Sequence, residues 1–435
     1  MRFAIGIIGI VVAAHAAAQT PAPARTDSVP TVTLDEAISR ALTTQPAMVQ
    51  AMGSERNAAA ASRSAWGSFL PSLSIGGSSA TNSSNRFNSQ TGQIVNVPSS
   101  SSYSASLSAS FNIFEGFART ATLNAARATA DAAAAGYTSA KYQTILAVKE
   151  AYFAVIADEE LVRVAQAQVT VSETQLQIAA QKLRAGAGTR SDSLSAAVTY
   201  GNNQVALLTA QANLAGAEVS LGRQVGVNGP VQAVPDSTLP AFPDTTMIRG
   251  FALGSTPLVA AADANARAAG SLVTVSHSQY WPTFSVSYAN GFTGLEAPWN
   301  STGTYVNNWS YRFSLNWTVF NGFAREQSVT SASVSRDIAA AQAADTRRSV
   351  NASISQQVIA LAAAHTQVAI SEANVASGQE GLRVAQEKFK VGAGLLLDVQ
   401  TAEASLAQAE VNLIQARFTY RTALSTLAAL LGKEL

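Results

Sequence analysis

His15, His277 and His365 are the only imidazoles in the 435 residues, and there is no cysteine. Zinc sites and imidazole-based proton transfer need such groups clustered with carboxylates, and His277 and His365 stand alone. Without cysteine there is no disulfide, thiolate metal site or cysteine nucleophile. No catalytic residue, no metal site and no cofactor is read from this chain. The residues that could act on a passing solute occur at two matching places. Ala185-Gly186-Ala187-Gly188 is followed by Arg190 and Asp192, and Val391-Gly392-Ala393-Gly394 is followed by Leu395-Leu396-Leu397 and Asp398. Gathered around an axis, Asp192 and Asp398 would form an acidic ring at a pore mouth, able to favour cations or to hold the mouth shut by pairing with Arg190. The same residues also suit a plain helix-to-helix turn, with glycine in the left-handed region and an acid in the first turn of the returning helix.

The elements that position these residues are set by an internal repeat. An offset of 206 relates Phe114 to Phe320, Gly116 to Gly322, Lys182 to Lys388, Gly186 to Gly392, Asp192 to Asp398 and Gly226 to Gly432, without a gap. Upstream the offset becomes 211, pairing Ala41-Leu42 with Ala252-Leu253, Pro46 with Pro257 and Pro71 with Pro282. A repeat this long fixes the architecture before any single motif is read. The first copy spans 19–226, a proline-rich linker 227–243, and the second copy 244–435. In both copies an alternating strand becomes a very long helix at one glycine, Gly116 or Gly322.

Ahead of the repeat, Arg2, the apolar run Phe3 to Ala14 and the small residues Ala16 to Ala18 read as a secretory signal peptide over 1–18. Charged residues make up 13% of the chain and the net charge is +1, so nucleic acid is not a partner the sequence is built to meet. After the leader no run of 18 apolar residues remains. A membrane could be crossed only by strands.

Strands are read near 69–77 and 103–113, separated by a polar loop over 78–102, and near 281–290 and 305–319. Tyr103, Ala105, Leu107, Ala109 and Phe111 alternate with serines, and Trp309, Tyr311, Phe313 and Leu315 alternate with Ser310, Arg312 and Ser314. One apolar and one small polar face fit a transmembrane β-barrel; a soluble sandwich strand has the same alternation. Four strands close no barrel by themselves. Two chains would supply eight strands around a filled interior, and three would supply twelve around a channel.

A helical hairpin follows each strand pair, over 118–226 and 324–432. Val148, Val155, Val162, Val169, Leu176 and Leu183 recur every seven residues, as do Ile354, Leu361, Val368, Val375, Leu382 and Phe389. A strict seven-residue period imposes a left-handed supercoil. At the far turns, Thr189-Arg190-Ser191 in one copy is matched by Leu395-Leu396-Leu397 in the other. Three leucines at a hairpin tip call for a cover; a partner protein is the economical one, and packing of some of them on the neighbouring hairpin is the alternative.

The duplicated plan, the Leu-Pro-Ser-Leu and Trp-Pro-Thr-Phe strand starts, the Phe-x-Gly-Phe-Ala-Arg junctions and the Val-Gly-Ala-Gly-x-x-x-Asp-Val tip resemble the TolC-like outer-membrane efflux proteins. The resemblance implies a mixed α and β membrane protein: a homotrimer with a transmembrane β-barrel shared by three chains, in contact with outer-membrane lipid, above a long coiled-coil α-helical barrel crossing the periplasm. It implies a periplasmic adaptor (membrane fusion protein) and an inner-membrane pump as partners, with the adaptor meeting Ala185 to Gly188 and Val391 to Gly394. It places Asp398 at the closed entrance. A second acid one turn on is here Thr401, and a basic residue near the turn is here Gly394, so the closing network differs. The function implied is a passive export duct. A periplasmic coiled-coil scaffold without a pore is the alternative, and an enzyme on a barrel lacks the Ser, His and Asp cluster it would need.

Overall fold

The computed structural model describes residues 29–235, 238–243, 256–297 and 304–435. The leader over 1–18 and the Ala252-Leu253 pair lie outside them. The first copy begins with β1 (Thr31–Val32) and α1 (Leu34–Thr44), where Thr33 Oγ1 accepts a hydrogen bond from Glu36 N at 3.3 Å. The Glu36 carboxylate does not complete the capping box and accepts from Arg40 instead. Then come α2 (Pro46–Gly67), β2 (Ser72–Asn88), β3 (Gln93–Glu115), α3 (Ala118–Arg184), α4 (Arg190–Val225) and β4 (Gln232–Ala233). The second copy contributes α5 (Pro257–His277), β5 (Thr283–Gly294), β6 (Tyr305–Asn316), α6 (Ala324–Lys390) and α7 (Leu396–Leu431).

Helices α3 and α6 both have 67 residues, and α4 and α7 both have 36. At a rise of about 1.5 Å per residue the long ones extend about 100 Å. Their seven-residue stripes are buried where the hairpin arms meet: Val148, Val155 and Val169 in α3, and Ile354, Leu361 and Val368 in α6. Toward the tips the first stripe fades, with Leu183 exposed and Ser172, Gln175 and Ala179 taking the buried places. Side by side the helices run α4, α3, α7, α6, so α4 and α6 are the outer members of the layer. Each carries a second apolar stripe facing away from its buried one, Leu194, Val198, Val205 and Leu208 on α4 and Ile359, Ile370 and Val384 on α6, and both stripes are exposed.

Midway along the rods two clusters of buried side chains form a belt. One joins Val32, Ala37 and Ala41 to Val148, Tyr152, Val155, Leu221 and Val225. The other joins Val259 to Ile354, Leu361, Tyr420, Leu427 and Leu431. The segment between the copies is tied into this belt by side chains. Tyr152 Oη donates to Val234 O at 2.8 Å, Tyr420 Oη to Pro240 O at 3.0 Å and Arg421 Nη2 to Thr238 O at 3.2 Å. Short parallel pairing of β1 with β4 adds a backbone link.

The long strands form one antiparallel sheet in the order β2-β3-β5-β6. It departs from the sequence reading in two ways. The polar loop expected over 78–102 is strand: β2 runs on to Asn88 and β3 begins at Gln93, across a turn that ends at Gly92 with φ +65°. Serine and asparagine have weak strand preference, but here the ladder satisfies their backbones. Cross-strand hydroxyl pairs then add to it, as between Thr81 and Ser101 at 3.0 Å. Conversely β6 stops at Asn316, short of the expected 319. The Thr318 and Val319 carbonyls accept from Arg325 at 3.0 and 3.2 Å, and Trp317 Nε1 donates to Tyr280 O at 3.3 Å, so side chains draw this segment off the ladder.

Candidate functional site

The sheet has two chemically distinct faces because register places like with like. On one face the rows are Leu73-Ala109-Tyr288-Tyr311, Phe111-Val286-Phe313 and Ile75-Leu107-Asn290-Trp309. Leu73, Ile75, Trp309, Tyr311, Phe313 and Leu315 are all exposed. From Tyr305 to Leu315 is about 34 Å along the strand, or about 25 Å high at a strand tilt of about 40°, the height of an apolar membrane band. On the other face the rows are Ser72-Ser110-Ser287-Arg312, Ser74-Ser108-Ala289-Ser310 and Gly76-Ser106-Gly291-Asn308. Hydroxyls bridge them, Ser72 to Ser110 and Ser74 to Ser108 at 2.7 Å and Ser78 to Ser104 at 2.8 Å. No described helix is long and apolar enough to cross a membrane.

At the foot of the sheet the two junction glycines differ. Gly116 (φ +59°) and Gly322 (φ +68°) are each followed by a phenylalanine also at positive φ, Phe117 and Phe323 at +65°, and only then does the helix begin. Two successive left-handed residues turn strand into helix in a single step at Gly116, whereas in the second copy residues 317–323 separate β6 from α6. A Cβ on Gly116 would lie 2.5 Å from Trp281 Cβ and 2.6 Å from Ser278 O, whereas one on Gly322 would meet open space.

The tips are Schellman turns in both copies. Ala187 N donates to Lys182 O at 2.8 Å and Ala393 N to Lys388 O at 2.9 Å, with Gly186 and Gly392 at φ +71° and +76° between. Ala185 and Val391 are the cap residues, and Gly188 and Gly394 fold back close to the Lys182 and Lys388 side chains. Asp192 caps α4 reciprocally with Thr189, and Asp398 Oδ2 accepts from Leu395 N at 3.0 Å. Both aspartates are exposed, and among the described residues no ion pair joins Arg190 to either. The three leucines do not behave alike. Leu396 faces a cleft, while Leu395 and Leu397 are 68% and 65% exposed, beside Val391 at 76%.

That cleft, of about 290 Å³, separates the two hairpins just above the tips and is lined by Val171, Ile178, Phe389, Leu396 and Val399 among others. Two polar contacts cross it. Lys182 Nζ sits 3.6 Å from the centre of the Phe389 ring, and Gln175 Nε2 donates to Glu403 Oε1. Burial raises the Glu403 carboxyl above its ordinary value, and the Gln175 bond offsets part of that. Sequence reasoning passed over this link, although its signal was present: Glu403 follows Val399 by four residues on the buried stripe of α7, where an apolar side chain belongs. His277 and His365 do not form a site. His277 stacks on Tyr280, and His365 lies between Phe242 and Tyr420. No group of histidines and carboxylates among the described residues could hold a metal.

A two-faced sheet set on paired helical rods has a defined counterpart among known proteins. The family model described as outer membrane efflux protein matches residues 37–227 and 250–433. This chain belongs to that family. No curated protein matches the sequence. Solved structures agree on the fold of the efflux protein. The Campylobacter jejuni CmeC outer membrane channel superposes with a TM-score of 0.78 at 17% identity, over 92% of this chain and 85% of that one. For the outer membrane protein VceC of Vibrio cholerae the values are 0.75 and 20%, over 92% and 96%. For the open state of the Neisseria gonorrhoeae MtrE outer membrane channel they are 0.74 and 18%, over 92% and 89%. The family is one of transport channels, not of enzymes.

Proposed function

We propose that this efflux protein works as a trimeric export duct set in the outer membrane and reaching across the periplasm, passive in itself and opened when a periplasmic adaptor and an inner-membrane pump dock on its tips. The observation that carries this reading is that both layers of the chain end in unsatisfied edges. β2 and β6 are edge strands that run antiparallel to each other, so β6 of one copy can pair with β2 of the next in an unbroken antiparallel ladder. Beneath them the exposed stripes of α4 and α6 can close in the same way. Three copies rather than two fit the serine, glycine and alanine of the polar face. Eight strands enclose only enough room for side chains to fill, which these cannot do, whereas twelve leave a water channel. The exposed apolar face counts against a soluble scaffold.

At the far end, Leu395, Leu397 and Val391 form the uncovered apolar surface that an adaptor would bury, together with the backbone of Gly186 to Gly188 and Gly392 to Gly394. Asp192 and Asp398 of three copies would line the entrance, and the Lys182–Phe389 and Gln175–Glu403 contacts would hold the two hairpins of each copy together while it is shut. Light scattering of the detergent-purified complex tests the assembly, with the mass of three chains expected from the outer-membrane fraction. A monomer or a soluble species would remove the shared barrel. For docking, Leu395→Asp with Leu397→Asp should abolish export while trimers still form. Normal export by that variant would refute the tip assignment.

A further inference from the structure

Across the four long strands only Arg86, Glu115 and Arg312 are charged. Arg86 pairs with Val95 in the outer part of the β2–β3 hairpin, beyond the apolar band. Glu115 sits at the foot of the sheet and pairs with Arg119 at 3.4 Å. Arg312 is different. It lies on the polar face in the row Ser72-Ser110-Ser287-Arg312, level with the third of the apolar band nearest the helices, and it is exposed. It has no carboxylate within ion-pair distance among the described residues. The strand that would come to lie beside it in a closed barrel is β2 of the next copy, which has no acidic residue at all. Closing the barrel therefore brings nothing to neutralise it.

We propose that Arg312 forms a threefold basic ring in the part of the barrel nearest the helices that makes the duct favour anionic solutes, an inference that rests on the trimeric duct reading. Twelve strands about 4.8 Å apart, tilted by about 40°, put the backbone about 12 Å from the axis. An arginine reaching inward covers about half of that, leaving each guanidinium about 6 Å from the axis, inside the Debye length of about 8 Å at physiological salt. Three unit charges at that distance, in water and so screened, enrich a monovalent anion on the axis by about fivefold. The hydroxyl rows around the ring offer hydrogen bonds but no competing charge. Rings of arginine or lysine select anions in pores generally. The acids at the tips act at the opposite end of the duct and favour the opposite sign, so the barrel ring and the entrance are separate filters in series.

The test is the reversal potential of purified trimers in a planar bilayer under a potassium chloride gradient. Arg312→Gln should lower the chloride-to-potassium permeability ratio by about two- to fivefold, Arg312→Glu should lower it further, and Arg312→Lys should keep it. Arg312→Ser, matching the serines at 310 and 314, serves in place of the glutamine variant if that one fails to assemble. In the unmodified protein the contribution of the ring should also fade as salt rises toward 1 M, where the Debye length is about 3 Å. A ratio that stays the same in the neutral and acidic variants overturns the ring while leaving the duct intact. Absence of any conductance both from the unmodified trimer and from a trimer whose tip contacts are released by Lys182→Ala with Gln175→Ala overturns the duct reading, and the ring with it.

Discussion

Gly116 and Gly322 occupy the same place in the two copies and share a left-handed backbone, so a reading from sequence alone would have them respond alike to substitution. The structure separates them. Alanine at either position must hold a positive φ, at a cost of about 1–2 kcal/mol. At Gly322 nothing further opposes it, because the new methyl group would meet open space. At Gly116 the methyl would press on Trp281 Cβ at 2.5 Å and on the Ser278 carbonyl oxygen at 2.6 Å, the second of which is backbone and cannot swing aside. Overpacking of this kind adds about 1–3 kcal/mol, for a total of about 2–5 kcal/mol at Gly116. Trp281 also makes an edge contact with Phe117, so moving the indole would disturb the left-handed phenylalanine that starts α3. The assay is thermal melting in detergent, followed by helical circular dichroism. Gly116→Ala should melt well below the unmodified protein and Gly322→Ala only slightly below it. Equal melting of the two variants would refute the steric argument and with it the inequivalence of the two junctions.

Other outcomes follow from the belt and the tip cleft. Tyr152→Phe and Tyr420→Phe each remove a donor to a partly exposed carbonyl of the inter-repeat segment, Val234 O or Pro240 O, at about 0.5–1.5 kcal/mol each. Limited proteolysis should then cut within 227–243 faster than in the unmodified chain. Glu403 has its folded-state value raised by burial, so the ionised form is disfavoured in the folded protein and the protonated form is the one the fold prefers. Its contribution to holding the hairpins together is complete below the ordinary glutamate value and is lost as pH rises through the raised one. Glu403→Gln keeps a partner for Gln175 without the charge, so it should raise the melting temperature at pH 7 and change it little at pH 4. A gain that is the same at both pH values would show that burial of the charge is not the cause.

What could be read from the sequence was whatever repeats along one element. Seven-residue spacing identified Val148, Val155 and Ile354, Leu361 as seams, glycines at 186 and 392 identified the turns, and two-residue alternation in Tyr305 to Asn316 identified a sheet with unlike faces. Periodicity is local, and each of these properties depends only on how a backbone of fixed geometry presents successive side chains. The tertiary structure decided what depends on neighbours distant in sequence. Ser78 to Asn88 became strand because β3 stood alongside to accept its hydrogen bonds, although its own residues prefer turns. Trp317 to Val319 left the strand because Tyr280 and Arg325 claimed their polar groups. Gly116 was set apart from Gly322 by an indole from the other repeat, and Glu403 by a glutamine 228 positions away. Burial and hydrogen bonding are made between elements, so no pattern within one element records them.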